Sequence, residues 1–331
     1  MYIYLMGQPK ESGPKNSTTA GKENAPRKET PIPSLRLLIN GQSEGAALLF
    51  DKVLSNGHEI VGIVGTIKKD ANGNMDPLRQ KATDLGIPIV NLGDINNRKP
   101  GDEKYERAKQ KMRDMNADLG VGFYLQATLD NETLAIPEFG TMNMHLGDPA
   151  NRGRDSMNRD ILNGSPTVSI TTFLMNEIID GGDVVDVKSF PNPGDKSQGA
   201  LYYQYLPNFI QQVSDSIDKM ALGIDQHRKT GKPLPVTPQD HSKAKEYPPL
   251  SEEELYADFE RDDAETLKRK MLAGGPGSTA LIEGEEYKIS KPTVYLGAPL
   301  TPGRLVENTP ENVLVETAQG LISIGRRQKK Q

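Results

Sequence analysis

Of the four histidines in the chain, His145 has the company that acid–base chemistry needs. It ends the run Thr141 to His145, which reads as a short strand, and Asn143 lies two residues before it. An Asp-Gly-Gly-Asp segment, Asp180 to Asp183, begins 180 − 145 = 35 residues later, between two further strand-like runs. That interval is room for one helix and one strand to bring the chain back. An imidazole exchanges protons near neutral pH, and a carboxylate beside it orients the ring and stabilises its charged form. A side-chain amide N–H can stabilise an oxyanion as a carbonyl carbon becomes tetrahedral. Such a trio needs no covalent nucleophile, in accord with the absence of cysteine. On residue types alone two plainer readings stay open. His145 can be a hydrogen-bonded structural residue at a strand end, and Asp180-Gly181-Gly182 reads first as a hairpin turn. His58 precedes a strand and reads as a loop residue, while His227 and His241 lie in polar stretches and read as exposed and inert.

The elements that would position these residues alternate. Leu35 to Ile39 is a short apolar run stopped by Asn40-Gly41, as a buried strand is. Ala46, Ala47, Leu49, Phe50, Val53 and Leu54 then recur at helical spacing, and Asn56-Gly57 ends the pattern. A second strand follows from Ile60, giving a βαβ unit and hence a parallel sheet. Helices are expected over Asp76 to Leu85, Tyr105 to Met115 and Ser156 to Leu162, with strands at 87–90, 119–125, 168–175 and 184–190. The longest helical pattern runs from Leu201 to Leu222. In open α/β sheets ligands bind at the carboxyl ends of strands, which is where His145 falls. Beyond Gly223 come proline-rich loops, an acidic helix over Ser251 to Phe259 opened by a Ser251/Glu254 capping box, and a helix from Asp263 to Leu272. Short β-like pieces finish the chain and read as a small β-barrel or β-rich domain. The expected division is a flexible extension over 1–33, an α/β domain over 34–230, a linker over 231–262 and a small β-rich domain over 263–331.

The 331 residues are 35% hydrophobic and 26% charged, a polar but globular composition. No run of eighteen apolar residues is present, so no membrane partner is expected, and the sequence reads as cytoplasmic. A net charge of −5 does not support a broad grip on nucleic acid, tRNA included. No dinucleotide fingerprint follows the first strand, and neither the cysteine-free composition nor the acidic run Asp258 to Glu265 calls for a metal.

The segment Asn143-Met144-His145, Arg152-Gly153, Asn163-Gly164 and Asp180-Gly181-Gly182-Asp183 resembles the signature of the formyltetrahydrofolate-dependent formyltransferase family. That family includes methionyl-tRNA formyltransferase, sugar N-formyltransferases and the hydrolase domain of 10-formyltetrahydrofolate dehydrogenase. Gly41-Gln42-Ser43 and Gly57 to Gly62 are similar to the start of that hydrolase domain, and Lys288 to Ile322 resembles the C-terminal barrel of the transferases. The resemblance implies a Rossmann-like, mostly parallel sheet with helices on both faces, and Asn143, His145 and Asp180 as the catalytic trio. It implies 10-formyltetrahydrofolate as formyl donor and an amine as acceptor, with His145 as general base. It places Phe123, Tyr124, Leu125, Gln126, Arg152, Gly153 and Asp183 on the cofactor-binding surface. Two alternatives come with it: hydrolysis of the same donor to formate, and a non-catalytic binding relative. The second is prompted by Leu146-Gly147-Asp148-Pro149-Ala150, which stands where most members have Pro-Ser-Leu-Leu-Pro.

Overall fold

Leu35, Leu37, Leu38 and Ile39 are all buried, so the first strand β1 (Arg36–Gly41) is sealed on both faces, as central parallel strands are. In this computed structural model the description covers residues 31–96, 100–123, 125, 127–259, 261–274, 279–282, 285–295, 302, 304–309, 312–317 and 320–327. Most of the extension expected over 1–33 lies outside the described residues, as do three residues of the glycine-rich connector at 274–277.

After β1 the order is α1 (Ser43–Ser55), β2 (Glu59–Gly65), α2 (Pro77–Asp84), β3 (Ile89–Asn91), α3 (Glu103–Asp114), β4 (Leu119–Phe123), α4 (Asn131–Leu134) and β5 (Thr141–His145). Then come β6 (Asn151–Gly153), α5 (Ser156–Leu162), β7 (Thr167–Leu174), β8 (Val184–Pro191) and the 33-residue α6 (Gln198–Thr230). A seven-stranded sheet has the order β3-β2-β1-β4-β5-β7-β8, parallel from β3 to β5 and antiparallel at β7. One face packs Leu37, Ile39 and Val121 against Leu49, Phe50 and Val53 of α1 and Phe209, Val213 and Ile217 of α6. The other packs Leu38, Val64 and Val90 against Tyr105 and Met112 of α3. Each such aliphatic side chain contributes about 2 kcal/mol of burial free energy. The expected architecture of a mostly parallel sheet with helices on both faces is therefore present.

His58 is structural. Its Nδ1 accepts from the Leu35 N–H at 3.1 Å and its Nε2 lies 2.9 Å from Asp218 of α6, fastening that helix to the start of β1.

Beyond α6 lie β9 (Lys245–Tyr247), α7 (Glu252–Leu255), α8 (Ala264–Gly274) and β10 (Thr279–Ile282). The chain closes with β11 (Glu285–Tyr295), β12 (Leu305–Asn308), β13 (Asn312–Thr317) and β14 (Gly320–Arg327). The last five strands form an antiparallel sheet in the order β10-β11-β14-β13-β12, the small β unit the sequence led us to expect. The acidic helix expected over Ser251 to Phe259 is a single turn. The capping box is complete at Ser251 and Glu254, but Tyr256 is extended, and Ala257 and Phe259 instead bury themselves beside Leu267 and Met271. Tertiary burial of two apolar residues outweighs the helical propensity of three glutamates and their neighbours.

Candidate active site

Two glycines of β4 shape the ground beside β5. A Cβ on Gly120 would stand 2.6 Å from Thr141 Oγ1, and one on Gly122 only 2.4 Å from Asn143 Oδ1. The absent side chains let β5 lay Thr141 and Asn143 over β4, against strands that pair Gly120 with Thr141 and Gly122 with Asn143. Asn143 is thereby buried, and its Oδ1 accepts from the Leu125 N–H at 3.3 Å. The oxygen is thus fixed by a backbone donor, which identifies the opposite end of the amide as the NH2.

His145 sits one pleat further on the same face, at the carboxyl end of β5, and is 8% exposed. Its Nε2 is 2.8 Å from the carbonyl oxygen of Asn151. A carbonyl oxygen only accepts, so Nε2 carries hydrogen and proton exchange is left to Nδ1. Nδ1 faces Asp180 Oδ2 at 3.3 Å. The same Oδ2 accepts from the Gly153 N–H at 3.0 Å. The short strand β6 therefore touches both partners: the Asn151 carbonyl orients the ring and the Gly153 amide orients the carboxylate. Ser156 Oγ reaches the same Asn151 carbonyl at 3.0 Å. Close approach is needed behind the ring too, since a Cβ on Gly147 would lie 2.4 Å from His145 Nε2.

Asp180 has φ +49°, the left-handed region that aspartate tolerates better than most residues. The turn around it is tight. A Cβ on Gly182 would stand 1.6 Å from the carbonyl oxygen of Leu174, a position only glycine can hold. The Asp-Gly-Gly segment is thus a turn between strands, as the plainer reading had it, and also brings its first residue to His145.

Asn143, His145 and Asp180 line one cavity of about 1050 Å³. Leu125, Leu129 and Met175 supply apolar wall from the core beneath, and Ile178 and Ile179 stand at the Asp180 turn, 40% and 54% exposed. Arg154, Asn158, Gln198 and Glu246 add polar groups. Of the residues placed on the cofactor surface by resemblance, Leu125 and Gly153 line this cavity. Phe123 is buried in the main core and packs over Gly45. Arg152 is buried behind β6, with its Nη2 2.7 Å from Gln239 Oε1 and 3.1 Å from His241 Nδ1. Asp183 is exposed, away from the cavity lining, and its carbonyl oxygen accepts from the Leu174 N–H. Tyr124 and Gln126 lie outside the described residues. Sequence reasoning missed Asn151, Ser156, Gly147 and Gln239. Two of these act through backbone atoms or missing atoms, for which residue type is no signal.

Asp160 of α5, buried below the loop that follows His145, has its carboxyl pushed up to about 6 by burial, with the Asp148 charge adding to the shift. Among the described residues no helix is long and apolar enough to cross a membrane.

Residues 249–331 match the model of the formyl transferase C-terminal domain. The chain is 27% identical over 302 residues to a methionyl-tRNA formyltransferase from Roseiflexus castenholzii, covering 87% of this chain and 90% of the relative. It is 24% identical over 298 residues to one from Alkaliphilus oremlandii, covering 88% and 90%. Among solved structures, HypX from Aquifex aeolicus in complex with tetrahydrofolic acid shares the fold with TM-score 0.60 and 20% identity. The match covers 89% of this chain and 45% of HypX, so the chain spans less than half of that protein. An N-formyltransferase from Helicobacter canadensis, in complex with folinic acid and dTDP-3-aminofucose, matches with TM-score 0.62 and 15% identity over 89% of this chain and 100% of its own. Residues 249–331 thus match a formyl transferase C-terminal domain, and over most of its length the chain is similar to methionyl-tRNA formyltransferases.

Proposed function

We propose that the chain transfers a formyl group from 10-formyltetrahydrofolate to an amine. The observation that carries this reading is the meeting of Asn143, the His145 Nδ1 and the Asp180 carboxylate, 3.3 Å apart in the last pair, in one cavity. The apolar wall at Leu125, Leu129 and Met175 suits a flat heteroaromatic ring, and the cavity volume admits a donor and an acceptor together. The folate-bound relatives support the same donor, and their names give an aminoacyl-tRNA and an amino-sugar nucleotide as acceptors of those proteins.

Each side chain has a task. The Asn143 NH2 donates to the formyl oxygen as negative charge gathers there, a contribution on the order of 10²–10³-fold when such a donor is preorganised. Asp180 and the His145 Nδ1 share one proton position, so the pair can take the proton released by the attacking nitrogen and return it to the departing folate nitrogen. The Asn151 carbonyl keeps the ring from turning that nitrogen away. Both side chains are mostly shielded from water, which strengthens their interaction.

The test is to mix the purified chain with 10-formyltetrahydrofolate alone, then with methionyl-tRNA, an amino-sugar nucleotide and small primary amines in turn. Tetrahydrofolate release that depends on one added amine, with formyl recovered on it, is the expected result. Release without any amine would make the protein a hydrolase, and no release under any condition would overturn the reading.

A further inference from the structure

The segment between α6 and β9 is fastened to the Asp180 turn by the side chain of Gln239. Gln239 Nε2 donates to the carbonyl oxygen of Asp180 at 2.9 Å and to that of Gly182 at 2.7 Å. Its Oε1 accepts from Arg152 Nη2 at 2.7 Å. Arg152 is the middle residue of β6, flanked by the two residues whose backbones hold the imidazole and the carboxylate. The contacts close a ring: the Asp180 carboxylate to β6, β6 through Arg152 to Gln239, and Gln239 back to the Asp180 backbone. Thr237 fixes the same segment independently, exchanging two 2.8 Å backbone hydrogen bonds with Val184.

Arg152 sharpens the argument. It is 6% exposed, and among the described residues it makes no ion pair and its Nε has no partner. Burying an unpaired cation is costly unless hydrogen bonds compensate. Here the compensating acceptors are the neutral Gln239 oxygen and His241 Nδ1, so the guanidinium fork, with its fixed geometry, fixes the amide of Gln239 in turn. The left-handed backbone at Asp180 adds a need for such support, because a residue with φ +49° stays there only when its surroundings hold it.

We propose that Gln239 is a positioning residue for Asp180, acting with Arg152 through the backbone of the turn and touching neither donor nor acceptor. The proposal rests on the role given to Asp180 above. It makes the segment leading to the C-terminal unit part of the catalytic apparatus.

The Gly153 amide, which donates to Asp180 Oδ2, reports the carboxylate's place without any turnover. The experiment uses the full chain, deuterated and labelled with nitrogen-15, as wild type, Gln239→Ala, Gln239→Glu and Asp180→Ala. Gln239→Glu keeps an acceptor for Arg152 while replacing the donor to the turn with a second, charged acceptor oxygen, so it covers the case in which the alanine variant does not fold. The expected result is a Gly153 amide displaced in both Gln239 variants toward its position in Asp180→Ala. Alongside it, kcat for formyl transfer falls about 10- to 100-fold, the scale of a misplacement near 1 Å, while KM for the donor stays within about twofold. A Gly153 amide and kcat like wild type in Gln239→Glu overturn the proposal, as does a rise in KM at unchanged kcat. A displaced amide in a chain that transfers no formyl group supports the positioning and counts against the reading of the function.

Discussion

Gly122→Ala isolates the placement of Asn143. The φ of Gly122 is not positive, so alanine can adopt the backbone and the difficulty is space alone. The new methyl would begin 2.4 Å from Asn143 Oδ1 and 3.0 Å from its Cγ, against an ordinary contact of about 3.4 Å. The amide must therefore shift by about 1 Å, which also breaks the 3.3 Å bond from the Leu125 N–H. Two costs follow. Overpacking and the lost hydrogen bond lower stability by about 2–3 kcal/mol. The misplaced oxyanion donor lowers kcat about 10²-fold, equivalent to about 2.7 kcal/mol in the barrier. Gly120→Ala is the control, since its methyl would meet Thr141 Oγ1 at 2.6 Å on the same strand pair but away from the cavity lining. The assay compares urea unfolding and formyl-transfer kinetics for both variants. Similar stability losses with kcat reduced only in Gly122→Ala is the expected pattern. A Gly122→Ala enzyme with wild-type kcat, or equal kcat losses in the two variants, would refute the role given to Asn143.

Three other perturbations have definite signs. Folding keeps the Asp160 carboxyl protonated up to about pH 6, whereas the unfolded chain ionises it near 3.8, so ionisation weakens the fold as pH rises between those values. Asp160→Asn removes that slope, and urea titrations should show a gain of about 1–2 kcal/mol at pH 7.5, after discounting for solvent screening, and little gain at pH 4; parallel pH curves would contradict this. His58→Ala strips an acceptor from the buried Leu35 N–H and a partner from Asp218, and should cost about 2–4 kcal/mol by thermal or urea unfolding while leaving kcat within about twofold. Gly182→Ala places a methyl 1.6 Å from a backbone oxygen, so it should yield no soluble folded protein at 25 °C, and a stable active variant would show the turn to be far looser than described.

The central sheet was legible because burial on both faces writes itself as short apolar runs: Leu35 to Ile39, Ile60 to Val64 and Leu119 to Phe123 need no partner to be read as strands. The His145–Asp180 meeting was legible from a motif and a resemblance, with the turn reading of Asp180 also correct. What escaped depends on contacts distant in sequence. β6 and β9 are three residues each and exist only because Asn151, Arg152 and Gly153 pair with Lys245, Glu246 and Tyr247. β12 is four residues held by β13 and has no apolar run of its own. Gln239 bonds a turn 59 residues earlier, and nothing in its neighbours Pro238 and Asp240 announces that. Resemblance put Arg152 on the cofactor surface, whereas the structure turns it inward to Gln239 and His241, and so gives His241, read as inert, a partner.

The single-turnover rate of tetrahydrofolate formation from 10-formyltetrahydrofolate, with saturating amine, tests the account most directly when wild type is set beside Asp180→Asn and His145→Ala. Both variants should fold and bind the donor yet turn over at least about 10²-fold more slowly. Wild-type rates in either would mean that the imidazole and the carboxylate stand together for the fold and not for the reaction.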